Sequence, residues 1–311
     1  MINYLDVGAM GGDQLVPTGM RRYFRYIAVE PSPMEAQKLL NCLDDNSGHG
    51  FSSVEIIARA LWSYKCVKPL YLYSQATNSS FLLPNEDFVR RYRMEEKWSV
   101  VGSVPVEAVR YDEYTADTDG ERIDYIPDFI KLDTQGSEME VLRGVGEENL
   151  NKVLAIHCEV SFFEIYKNQA LFSEIEFFLR QYGLSFYGFM TSFKRGTKNV
   201  DPRRHLTDER LMYADAIFFR DRGLETDQQK EKLAILAGML GYSDLMYEIV
   251  ESLRRKSEYI FTFNFDTLTP ANTSEMLIHL REIGAGADIG NLEMIKKFVL
   301  RWQRYLSFRT N

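Results

Sequence analysis

The sequence predicts an α/β protein, a doubly wound sheet followed by a C-terminal helical extension. Three observations carry this. Apolar, strand-like runs alternate with helical periodicity over about two-thirds of the 311 residues, the layout of a sheet with helices on its faces. Two of those runs, Tyr4-Leu-Asp-Val-Gly-Ala-Met-Gly-Gly12 and Phe129-Ile-Lys-Leu-Asp-Thr-Gln-Gly-Ser137, end in an acid and break into glycine where a helix should begin. After about Gly223 the strand-like runs give way to apolar stripes at helical spacing.

The first strand is expected over Ile2 to Val7, with Asp6 just ahead of the turn. Tyr26 to Val29 forms the second and ends on Glu30, and the helical pattern Pro33 to Leu43 follows it. Val54 to Leu61 reads as a third strand. Pro69 to Tyr73 and Val104 to Val109 then look like an inserted hairpin or edge strands. Phe129 to Leu132 is the fourth main strand, followed by the short helical pattern Ser137 to Leu142. Val153 to Val160 is the fifth; beyond it, Leu171 to Tyr182 puts Ile175, Phe178 and Leu179 on one helical face. Leu184 to Phe189 and Ala214 to Phe219 complete the set.

In the tail, Leu233, Leu236 and Leu240 recur at helical spacing, as do Leu245, Ile249 and Leu253, then Leu277, Leu280 and Ile283, and finally Met294, Phe298 and Trp302. A glycine-rich break, Gly284 to Gly290, separates the last two stripes. Residues 1–222 and 223–311 are therefore expected to form separate domains. The second reads as a helical cap or a surface for homo-oligomer formation, with substrate recognition as the alternative. Because the first strand begins at residue 2, a C-terminal helix is expected to cover that end of the sheet.

Bulk properties exclude several classes. A net charge of -8 argues against non-specific nucleic-acid binding, which needs a basic surface. Cys42, Cys66 and Cys158 are too few and too scattered for a disulfide framework or a zinc site, and four histidines form no metal-ligating cluster. No secretory leader and no membrane span is visible, so a cytoplasmic protein is the expectation.

Ligands of wound sheets bind beyond the carboxyl ends of the strands. The turn at Asp6, Gly8, Gly11 and Gly12 does not spell G-x-G-x-x-G, so it suits a ligand without a pyrophosphate. S-adenosylmethionine is such a ligand, and carboxylates suit its sulfonium and amino groups. Glu30 lies 22 residues after Gly8, about where an acid grips a ribose diol.

These segments resemble the FkbM-type family of S-adenosylmethionine-dependent methyltransferases over roughly residues 2 to 220. The family's D-V-G-A-N-x-G is similar to Asp6-Val-Gly-Ala-Met-Gly-Gly12, with Met10 in place of Asn. Its A-x-E-P-x-P resembles Ala28-Val-Glu-Pro-Ser-Pro33. Its I-K-x-D-x-x-G-x-E and V-L-x-G resemble Ile130 to Glu138 and Val141 to Gly144. Smaller echoes are Ala60-Leu-Trp, Asn78-Ser-Ser80 and His157-Cys-Glu-Val160. The resemblance implies a Rossmann-like class I methyltransferase, with a seven-stranded, mostly parallel sheet whose last strand is antiparallel. It also implies methyl transfer to a hydroxyl of a sugar, glycan precursor or related natural product. On that resemblance Asp6, Gly8, Ala9, Gly12, Glu30, Pro31, Ala60 and Asp133 are the cofactor-binding candidates.

An acceptor alcohol must lose a proton, so bases are sought at the ends of the fourth and fifth strands. Asp133, His157 and Glu159 are the catalytic candidates; Asp133 could equally tie its turn. Lys131 shares strand parity with Asp133, so the two are expected on one face and able to pair. Lys131 and Glu138 are candidate substrate contacts, although an acid in a first helical turn also suits the helix dipole. The basic stretch Lys194 to His205 is a solvated run or, through Arg203 and Arg204, a clamp for an anionic sugar. Two other classes stay open: an NAD(P)-dependent oxidoreductase, disfavoured by the glycine spacing, and a non-catalytic binding protein of methyltransferase shape.

Overall fold

A computed structural model of the chain describes residues 1–44, 50–114, 125–197 and 209–256. Its centre is a seven-stranded sheet. In chain order the first elements are β1 (Ile2–Val7), β2 (Phe24–Val29), α1 (Pro33–Asp44), β3 (Ser53–Ile57), β4 (Ala60–Leu61), β5 (Cys66–Tyr73), α2 (Glu86–Arg91), β6 (Val100–Val109) and α3 (Tyr111–Tyr114). Then come β7 (Phe129–Leu132), α4 (Glu138–Val145), α5 (Glu147–Leu150), β8 (Ala155–Ser161), α6 (Phe172–Gln181), β9 (Ser185–Arg195) and β10 (Arg210–Phe219).

The large sheet runs β3-β2-β1-β7-β8-β10-β9. β1 pairs in parallel with β2 on one side and β7 on the other, so the direction of winding reverses between β1 and β7. That reversal leaves a crevice outside the carboxyl ends of the two strands. β10 is antiparallel to both its neighbours, β8 and β9, as the family resemblance implies.

Alternation along each strand gives the sheet two unlike faces. Leu5, Val7, Ile27, Val29, Ile130, Leu132, Ile156, Cys158 and Val160 enter one buried core together with Val141, Leu142 and Val145 of α4 and Ile175 and Leu179 of α6. On the opposite face Tyr4 stacks on Phe129 at 4.8 Å and lies 5.3 Å from Tyr26. Ionisable side chains follow those rings toward the strand ends.

The expected third strand, Val54 to Leu61, is two strands in different sheets. β3 ends at Ile57; Ala58 and Arg59 are exposed, and the chain then turns so that Ala60 and Leu61 pair with Ala108 and Val109 of β6. β6 pairs antiparallel with β5, so the expected insertion is a small sheet of its own, ordered β4-β6-β5. It is joined closely to α4. A Cβ on Gly144 would strike the carbonyl oxygen of Trp62, which explains glycine in the Val141-Leu-Arg-Gly motif.

A second compact unit begins at Gly223. In it, α7 (Asp227–Met239) and α8 (Ser243–Arg254) pack on each other. α7 starts on a capping box, in which Thr226 accepts from the Gln229 N–H. Its stripe Leu233, Leu236 and Leu240 is buried, as are Leu245, Ile249 and Leu253 of α8. The two later stripes and the Gly284 to Gly290 break lie outside the described residues. Among the described residues, no helix is long and apolar enough to cross a membrane.

Candidate functional site

The crevice between β1 and β7 is built by backbone contact. Gly8 follows β1 with φ +82°, and a Cβ there would land on the carbonyl oxygen of Asp133. The Asp133 N–H in turn donates to Val7 O at 3.0 Å. Glycine at position 8 thus lets the two strand ends meet. Gly8 and Ala9 both donate to Val29 O, and Gly12 donates back to Ala9 O at 2.9 Å, closing a turn. Ala9 is buried beneath that turn, Met10 is 39% exposed at its tip, and a Cβ on Gly11 would meet only the end of Gln14. The open part of the loop is therefore Met10 to Gly12.

Glu30 stands beside it at the end of β2, only 6% exposed. Its Oε1 accepts from the Ser32 N–H at 2.8 Å. Among the described residues its Oε2 has no hydrogen-bond partner. Burial pushes its carboxyl up to about 7, against the opposing pull of the Ser32 N–H. Pro31 follows at intermediate exposure. An acid with one oxygen anchored and the other unclaimed, next to an open glycine loop at the switch point, fits a hydroxyl-bearing nucleoside.

Asp6 is placed differently from expectation. It is fully buried; its Oδ2 accepts from Tyr26 Oη at 2.8 Å and its Oδ1 from Lys131 Nζ at 3.0 Å. Register explains this, because Asp6 pairs with Lys131 across β1 and β7 and their side chains leave on one face. Lys131 therefore bonds Asp6 rather than Asp133. Burial alone would pull the ammonium down, but the Asp6 carboxylate holds it above its ordinary range. Two further expectations are revised by packing. The Ala60 side chain lies in the small-sheet core with Trp62, Leu70, Val106 and Ala108. Glu138 is 2% exposed, and its Oε1 accepts from the Thr134 N–H, the Thr134 hydroxyl and the Gly136 N–H. It ties the turn after β7, with its carboxyl pushed up by burial.

One row of side chains remains open to chemistry. His157 is in register with Lys131, and Glu159 with Asp215 of β10. Glu159 follows His157 by two residues, so Lys131, His157, Glu159 and Asp215 all project from the ring-bearing face. His157 is 6% exposed, its Nδ1 is fully enclosed, and it makes no hydrogen bond among the described residues. Burial holds its imidazole below the usual value of 6.5. Glu159 is pushed well above the ordinary carboxylate range by burial and by Asp133, Glu138 and Asp215. Asp133 Oδ1 accepts from Gln135 Nε2 at 2.8 Å.

Sequence reasoning missed Gln135, Tyr166, Asp215 and Asp13. Asp13 accepts from the Leu15 and Val16 N–H groups and from Arg21, which shapes the end of the glycine loop. Asp215 is the one charged residue in the run Leu211 to Phe219, a signal that was legible. Arg203 and Arg204 lie outside the described residues, and so does the suggested anion clamp. Among the described residues, no group of histidine, cysteine and acidic side chains could hold a metal ion.

A family model described as the methyltransferase FkbM domain matches residues 6–186. A solved structure, the methyltransferase FkbM from Methylobacillus flagellatus KT, is 15% identical, with a TM-score of 0.39. The match covers 70% of this chain and 43% of that one, so this chain spans under half of that protein's length. None of the curated proteins matches the chain at a significant level.

Proposed function

The chain belongs to the methyltransferase FkbM domain family, and from that premise we propose an S-adenosylmethionine-dependent O-methyltransferase acting on a hydroxyl of a sugar, glycan precursor or related natural product. The observation that carries this is Glu30: a buried carboxylate with one oxygen anchored by Ser32 and the other unclaimed, beside an open glycine loop. Two ribose hydroxyls donating to that oxygen would form charge-assisted bonds. When bound, the cofactor supplies a methyl group on a positively charged sulfur.

The protein's own residues then have separable tasks. Gly8, Ala9 and Gly12 shape the loop, and Glu30 and Pro31 bound the nucleoside end. Asp6 acts through Lys131, whose ammonium it fixes at the crevice. On the acceptor side, His157 is the proton-accepting group: burial keeps it neutral, and no described side chain occupies its ring nitrogens. Glu159 and Asp133 orient the acceptor hydroxyls. Holding the acceptor in line is the larger part of such catalysis. Residues 1–222 carry this chemistry, while the helices from Gly223 onward serve as a cap or as a homo-oligomer surface.

The test is mass spectrometry of sugars and nucleotide sugars incubated with the protein and isotopically labelled methyl donor. One added methyl on oxygen supports the reading. Binding of the donor without product across a broad panel favours a non-catalytic role, and binding of a nicotinamide cofactor instead would overturn it.

A further inference from the structure

The turn between β7 and α4 carries a feature that neither cofactor nor acceptor binding explains by itself. Gln135 occupies it with φ 54°, in the left-handed region where a non-glycine residue is strained. Four segments converge on this one residue. Its Nε2 donates to Asp133 Oδ1 at 2.8 Å and lies 3.5 Å from Glu159 Oε1 on β8. Its Oε1 accepts from Tyr166 Oη at 3.0 Å, in the loop after β8. Its backbone carbonyl accepts from Ser80 Oγ at 2.6 Å, in the segment between β5 and α2. Tyr166 is buried, and its single proton is shared with Asn78 O at 2.9 Å. The Asn78-Ser-Ser80 motif thus reaches the site through Gln135.

An amide has unlike ends. One presents two N–H donors and the other an acceptor oxygen. If the oxygen end faced Asp133 and Glu159, it would oppose two carboxylates. The Tyr166 hydroxyl, binding the oxygen end, fixes the donor end toward them.

We propose that Gln135 is a positioning residue whose amide, oriented by Tyr166, holds Asp133 and Glu159 in the arrangement that meets the acceptor. This rests on the methyltransferase reading of the site, but its physical consequence is measurable without any substrate. A donor aimed at a carboxylate favours its ionised form. Releasing the amide therefore raises the pH at which Glu159 ionises. The charged and titratable groups facing Glu159 are Lys131 from β7, Asp133 from the turn after it, Glu138 from α4, Asp215 and Tyr213 from β10, Tyr166 from the loop after β8, and His157 on its own strand.

The experiment follows the Glu159 carboxyl by 13C NMR titration of the ligand-free, full-length protein, assigned by the signal lost in Glu159→Gln. Tyr166→Phe should move the Glu159 midpoint upward by about one pH unit, the equivalent of a weak hydrogen bond to a charged group. Gln135→Met should do the same. Ser80→Ala, which removes the bond to the Gln135 backbone carbonyl and the one that Ser80 Oγ accepts from the Leu82 N–H but leaves the amide and Tyr166 in place, should leave the midpoint unmoved while lowering thermal stability. An unmoved midpoint in folded Tyr166→Phe overturns the role of Gln135 and leaves the methyltransferase reading standing. A shift of equal size in Ser80→Ala also overturns it, since general loosening of the turn would then account for the effect. Failure of methyl transfer in the mass-spectrometric test strikes the broader reading instead.

Discussion

Gly8→Ala tests the construction of the crevice. The new Cβ would fall on the carbonyl oxygen of Asp133 and 2.9 Å from its carbonyl carbon, both backbone atoms that no side-chain rotation can move. It would also force alanine to φ +82°, which costs about 1–2 kcal/mol. Overpacking against backbone adds about 1–3 kcal/mol. The sum of roughly 2–5 kcal/mol corresponds to a fall of roughly 5–15 °C in the unfolding midpoint for a domain of this size. Gly11→Ala is the matched control. Its φ is +83°, yet the nearest atom to its Cβ is the end of Gln14 at 3.9 Å, so only the backbone cost of about 1–2 kcal/mol applies. Calorimetry or circular dichroism melts of the two variants isolate the contact from the dihedral. Equal losses at the two positions would refute the reasoning, because the strand ends would then not depend on their mutual approach. Donor titration of both variants adds a second contrast, with Gly11→Ala expected to weaken binding despite its milder destabilisation.

Glu30→Gln should weaken S-adenosylmethionine binding by roughly 10–100-fold in calorimetric titration, the worth of a hydrogen bond to a charged group; unchanged affinity removes Glu30 from the site. The same carboxyl, raised to about 7, stabilises the ligand-free fold at low pH and loses that contribution as pH climbs from its usual 4.5 through 7. Glu30→Gln should therefore melt higher than wild type at pH 8 and no higher at pH 4, and the reverse order would show that burial of its charge is not opposed. Asp6→Ala leaves the Lys131 ammonium buried without its partner and should cost about 3–5 kcal/mol, whereas Asp6→Leu with Lys131→Met should lie closer to wild type; chemical denaturation of all three checks this, and a neutral Asp6→Ala defeats it. Once an acceptor is known, His157→Ala and Glu159→Gln should cut turnover while leaving donor affinity near wild type. The acid limb of the wild-type profile should fall below the usual imidazole value of 6.5, because His157 must be neutral to accept a proton. A limb above 6.5, or undiminished turnover, excludes His157 as the base.

The sequence by itself determined most of the strands, their order of appearance and the two acid-then-glycine ends, because these are local patterns. Short, mostly apolar runs mark β1, β7 and β8, which are buried along nearly their whole length, and glycine marks the turns that need it. It also singled out Glu30, which the fold places at the end of β2 beside the glycine loop, with Ser32 donating to it. Pairing across strands was not legible. Asp6 and Lys131 are 125 residues apart, and only the adjacency of β1 and β7 brings an ammonium onto that carboxylate. Glu138, read as a substrate contact or an acid suited to a first helical turn, instead accepts from the Thr134 and Gly136 N–H groups, because the conformation of that turn, not the residue types in it, aims them at its carboxyl. Val54 to Leu61 read as one strand because its apolar residues recur from end to end with no glycine or proline between them. Its division between two sheets depends on β6, some 50 residues onward, offering Ala108 and Val109 as partners. Local sequence sets which backbone conformation a segment prefers, but which groups meet in the buried site is decided by long-range register.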